Sequence, residues 1–123
     1  MAGARTHQLA RGVAYALTVP PTLVFTCPGD KATIVKWLGV TNNAGTPIAT
    51  PMDVFLSVGP GAGRSRCFSL GYQGDIIDPQ NSAIQGTMSG FCYIVLEPLD
   101  ELWIGSVQGG NYDFLISGAE LNY

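Results

Sequence analysis

The chain has 123 residues, of which 46% are hydrophobic and only 12% charged, and its formal net charge is −3. That length suits one domain with one real core, while the charge balance excludes the basic face that a nucleic-acid binder needs. The charged share is about half the ~25% usual for a soluble domain, which is a poor match for a lone monomer in water.

Sixteen glycines and eight prolines are spread along the sequence, which favours short strands and tight turns over long helices. Residues 1–12, MAGARTHQLARG, are small, polar or basic and lack the apolar content of a core element, so they read as an extended N-terminal arm. The rest, 13–123, reads as a single domain. A strand is expected over 13–19, ending at Pro20-Pro21, and a second over 22–27, closed by the turn residues Pro28-Gly29-Asp30. No signal peptide is expected, because the paired prolines interrupt the apolar stretch behind Arg5 and Arg11 and no small-residue cleavage site follows. Nor does any run reach the ~20 apolar residues that cross a bilayer as a helix, so no membrane partner is expected.

Residues 31–43 are the longest strand candidate, apolar on both faces and therefore central in a sheet. Residues 53–58 alternate, with Val54, Leu56 and Val58 inward and Asp53 and Ser57 outward, as a half-buried strand should. A glycine-rich stretch, 59–65, follows, and then a strand over 65–72. Residues 74–90 are the least regular and read as a long loop holding at most a short strand at 82–87; a loop of that length is usually functional or packed on a partner. Three apolar runs at 91–96, 102–107 and 112–117 are separated by Glu97-Pro98-Leu99-Asp100 and Gln108-Gly109-Gly110-Asn111. Their spacing predicts a three-stranded antiparallel meander. The total is seven or eight strands, an all-β antiparallel sandwich of jelly-roll or immunoglobulin-like type.

Candidate chemistry is thin. The 59–65 loop lacks the lysine and following helix of a phosphate cradle and reads as a hairpin tip, offering Arg64 and Arg66 for surface contact. His7 is the sole histidine and lies far from any strand end, with no nucleophile elbow to join it. Asp75 and Asp78 match no calcium loop and read as turn residues. Cys27, Cys67 and Cys92 are odd in number and lack metal-ligand spacing, so they read as apolar-like thiols of a protein made in a reducing cytoplasm, with a disulfide to a neighbouring subunit as the alternative. Of the strand aromatics Trp37, Tyr72, Tyr93, Trp103 and Tyr112, Trp103 is the best candidate for a sugar platform, although large aromatics on strands more often serve cores or interfaces. No enzymatic activity, cofactor or metal is expected.

Two stretches resemble a pattern of small tailed-phage virion proteins. FTCPGDKATIVKWLGVTNN, residues 25–43, resembles the opening "TVPAGKTAIVKSIRVTN", and VLEPLDELWIGSVQGGNYDFLISGAEL, residues 95–121, resembles the closing hairpin "VLEPGDTLRV…VSGVEL". Here Leu99 stands where the pattern prefers glycine, and the first turn is spaced differently. The resemblance implies a non-enzymatic, homo-oligomeric virion protein made in the host bacterial cytoplasm. A capsid decoration or cement protein comes first, and a neck or tail accessory is the close variant. A carbohydrate- or receptor-binding module is the reading from another class. The partner contacts expected on this basis are Arg5, His7, Arg11, Arg64, Arg66, Asp75, Asp78 and Trp103, with the major capsid protein or neck and tail proteins as partners.

Overall fold

The computed structural model describes residues 7–17, 20–42, 52–72, 87–106 and 110–122. They form eight strands in chain order: β1 (His7–Leu17), β2 (Thr22–Thr26), β3 (Lys31–Asn42), β4 (Met52–Val58), β5 (Ser65–Tyr72), β6 (Thr87–Leu96), β7 (Glu101–Ser106) and β8 (Gly110–Asn122). Every pairing is antiparallel, giving sheet A in the order β1-β8-β3-β6 and sheet B in the order β2-β7-β4-β5. Eight strands divided between two four-stranded sheets, the chain changing sheet at every connection except β4 to β5, make a jelly roll.

The core follows from alternation. Val35, Leu38, Val40 and Ile116 point inward from sheet A, and Val54, Leu56, Leu102 and Ile104 from sheet B; none is more than 1% exposed. Each such side chain contributes roughly 1.5–3 kcal/mol of transfer free energy. Two buried hydroxyls satisfy each other where Ser106 Oγ donates to Tyr112 Oη at 3.3 Å.

The central position expected for 31–43 holds, since β3 lies between β8 and β6. Three other expectations need correction. The meander does not form: β6 and β8 belong to sheet A and β7 to sheet B, so the chain crosses the sandwich twice. The reason is burial, because the inward faces Ile94-Leu96 and Leu102-Ile104 must meet across one core, and pairing them side by side would leave one layer uncovered. Strand β4 is buried on both faces, with Phe55 3% and Ser57 4% exposed, because Arg66 covers the Phe55 ring from outside at 3.9 Å. Residues 7–12, assigned to the arm, are the first half of β1 and pair with β8 through backbone hydrogen bonds that need no apolar pattern. The short strand considered at 82–87 falls outside the described residues except for Thr87, which starts β6.

The two stretches that carry the resemblance meet at one end of the sandwich. Asp100 N–H donates to Glu97 O at 3.0 Å, closing a turn with Pro98 second and Leu99 third, and Leu99 has φ 72°. The same turn is tied to the 28–31 turn, with Leu99 N–H on Cys27 O and Cys27 N–H on Asp100 O. A leucine in the left-handed region costs roughly 1–2 kcal/mol, and this one is 70% exposed, so it recovers little by packing. Leu99→Gly is therefore expected to raise the melting temperature by a few degrees, net of glycine's extra unfolded-state entropy. Calorimetry of the two proteins checks it; a lower melting temperature would show that the leucine is not strained.

Candidate functional site

The residues that sequence reasoning marked for contact are not gathered in one place. Arg5, Asp75 and Asp78 lie outside the described residues. His7 Nε2 is 3.1 Å from Glu120 Oε1, which ties the start of β1 to β8. Arg64, Arg66 and Trp103 sit on the outer face of sheet B, but they are spent on one another and on the fold. The Arg64 guanidinium lies 5.0 Å from the Trp103 ring centroid and also donates to Gly61 O at 2.7 Å. Trp103 Nε1–H donates to Gly59 O at 2.9 Å, and Gly61 N–H donates to Glu101 Oε1 at 3.0 Å. The glycine-rich hairpin tip is thus pinned onto β7, and Trp103 offers no open ring face for a sugar on the side Arg64 covers.

Arg11 is placed differently. It stands on the outer face of sheet A, where the register sets residues side by side in rows. One row runs Gln8, Ser117, Trp37, Phe91, and the next runs Arg11, Leu115, Gly39, Ser89. The benzo ring of Trp37 occupies the space that a Cβ on Gly39 would need, so glycine is what lets the indole lean over β3. Around that glycine floor is a groove of about 410 Å³, with Trp37, Leu115, Gln8, Arg11 and Asp113 in its walls.

Beside the groove runs a feature of which sequence reasoning marked only Tyr93, as one of several strand aromatics. On edge strand β6, Phe91, Tyr93 and Val95 point outward and are 86%, 73% and 51% exposed, while Cys92, Ile94 and Leu96 point inward. Phe91 is paired with Trp37, and Val95 with Ile34, so the stripe continues onto β3. The only signal in the sequence is alternation between two equally apolar sets, and alternation does not say which set faces out.

Of the three thiols read as apolar-like, Cys27 is buried and Cys92 half-buried, but Cys67 is exposed on the edge strand β5. Cys27 Sγ lies 3.2 Å from both Lys31 O and Thr33 Oγ1 under the first turn. Cys67 Sγ donates to Leu56 O and Cys92 Sγ to Val35 O. Burial pushes the Cys92 thiol up to about 11, and the nearby Cys67 thiol adds to the rise. At pH 8, Cys92 is therefore expected to react with iodoacetamide roughly a hundredfold more slowly than an ordinary protein thiol. The folded chain holds this proton to higher pH than the unfolded chain does, so the linked stability is present below about pH 9 and is lost as the pH rises toward 11. Mass spectrometry of timed alkylation reads the first effect; labelling at the free-cysteine rate would contradict the placement of this thiol.

No family model matches the chain, and no curated protein matches its sequence. Among solved structures, Eiger TNF from S. frugiperda is similar over 96% of this chain and 92% of that one, with a TM-score of 0.63 at 8% identity. A chain of the infectious bursal disease virus Gt strain aligns over 95% of this chain and 31% of its own length at 12% identity; its TM-score of 0.38 is too low to bear on the argument. The first likeness concerns architecture alone, and with the strand order it makes this chain an all-β sandwich of the jelly-roll kind.

Proposed function

We propose that this chain is a non-enzymatic structural subunit of a virus particle, and that it decorates the capsid shell of a tailed bacteriophage. The observation that carries the reading is the outer face of sheet A. Three large apolar side chains stand exposed at alternate positions on one edge strand, continuous with Trp37 and Ile34. Exposed apolar area of that kind marks a protein contact. The resemblance of residues 25–43 and 95–121 to phage virion proteins suggests the setting. The low charge of the whole chain is consistent with a subunit that spends its life among neighbours. The work is done by mass action and buried area, with no chemical step.

The test is sedimentation of the purified protein with capsid shells that lack it. Saturable co-sedimentation is expected, reaching a fixed number of copies per shell. Binding to isolated necks or tails in place of shells would move the protein to the head–tail region, and failure to bind any virion part would overturn the proposal.

A further inference from the structure

We propose that the occupant of the sheet A face is a second copy of this chain, with Phe91 of one copy seated in the groove of the next. The inference rests on the reading of the chain as an assembly subunit and names the partner of that same face.

Three features favour a second copy. The first is shape. The projecting ring and the groove occupy neighbouring rows of one sheet face, Phe91 beside Trp37 and the glycine floor at Gly39 one row on. A volume of about 410 Å³ falls in the range that admits a drug-sized ligand, so one aromatic ring from a neighbour has room. A face that bears both knob and hole is self-complementary: the contact made by one copy is returned in a two-fold pair or passed around a closed ring.

The second is area. A Phe or Tyr presents 150–250 Å² when fully open, so Phe91 and Tyr93 at their observed exposures offer on the order of 300 Å² between them. A standard interface takes about 800 Å² from each partner. The two rings therefore supply the apolar centre, and Val95, Ile34 and the groove walls the surround. Exposed aromatics at the centre with polar groups around them is the usual anatomy of such a contact.

The third is charge. The groove walls carry Arg11 and Asp113, one of each sign, so two copies of this face meet without net repulsion.

The experiment is sedimentation equilibrium on the purified full chain across the micromolar range, beside the double variant Phe91→Ser/Tyr93→Ser and the control Leu99→Ser. Both altered sites are exposed, so circular dichroism should be the same for all three, but Leu99 lies in the β6–β7 turn off the sheet A face. The wild type and the control are expected to form the same closed oligomer. The double variant should associate at least tenfold more weakly with its fold intact. A wild type that stays monomeric at high micromolar concentration overturns the inference, as does a double variant that associates like the wild type. A monomer whose tryptophan fluorescence is shifted by simple pyranosides, and loses that shift with Trp37→Ala, would assign the groove to a saccharide instead and also overturn it. Shell binding is scored separately: an oligomer that ignores shells keeps this inference and sinks the virion proposal, and a monomer that binds shells does the reverse.

Discussion

A Gly118→Ala protein is expected to fail to form the sandwich. Gly118 lies in β8 opposite Val35, beside a register shift in the β3–β8 pairing. A Cβ there would run into the backbone carbonyl of Ile34 and also meet Leu9 Cδ1 at 2.7 Å. A side chain can swing away, but a carbonyl in the middle of a ladder cannot move without taking the ladder with it. The β3–β8 pairing is the longest among the described strands and holds the centre of sheet A. Overpacking usually costs about 1–3 kcal/mol, and a rigid backbone collision at such a place should exceed that range, which is a large part of the ~5–15 kcal/mol that holds a domain together. The expected outcome is insoluble protein, or a soluble form without a cooperative thermal transition. Gly39→Ala is the informative contrast, since the atoms nearest its Cβ belong to the Trp37 side chain, which can turn where a backbone carbonyl cannot. If Gly118→Ala melts like the wild type, β3 and β8 do not approach each other as closely as their pairing requires.

Ile104→Ala should be the most damaging of the simple truncations in sheet B. Ile104 is fully buried on β7, which lies between β2 and β4, and it is paired with Thr22 on one side and Leu56 on the other. Removing three carbons there loses their transfer free energy and leaves a cavity that two flanking strands prevent from closing. The expected cost is about 2–5 kcal/mol, a drop in melting temperature on the order of 10–20 °C for a domain of this size. The neighbouring Trp103 faces the other way, so Trp103→Phe should lose its hydrogen bond to Gly59 O and weaken the Arg64 contact with the ring, together about 1–2 kcal/mol. Equal losses at the two positions would mean that β7 does not set Ile104 between Thr22 and Leu56.

How far the sequence discloses this arrangement depends on which force shapes each part. Strand β5 falls at Ser65–Tyr72, as its sequence predicts, because the glycine-rich turn in front of it marks its start sharply. Strands β1 and β8 are longer than their apolar runs, starting at His7 and ending at Asn122, because their outer parts pair by backbone hydrogen bonds to which side-chain pattern is blind. The turns at 28–31 and 97–100 are legible from proline and glycine chemistry, but a turn does not say whether the next strand joins the same sheet or crosses to the other. That choice belongs to the whole core, which is why spacing alone predicts a meander that the fold does not contain.

The candidate site shows the same division. Arg64 reads from the sequence as part of a hairpin tip and Trp103 as a strand aromatic, yet only the fold reveals that the guanidinium is laid over the indole. Phe91, Tyr93 and Val95 cannot be picked out by pattern, because Cys92, Ile94 and Leu96 between them are just as apolar. Burial is decided by β3 and the opposite sheet, not by β6 itself.

The most direct measurement is hydroxyl-radical footprinting of the protein when dilute and when assembled on shells. Phe91 and Tyr93 should be labelled in the dilute chain and protected in the assembly, while Leu99, 70% exposed in the 97–100 turn, stays labelled in both. Equal labelling of Phe91 and Tyr93 in the two states would contradict the claim that this face is where the chain meets its neighbours.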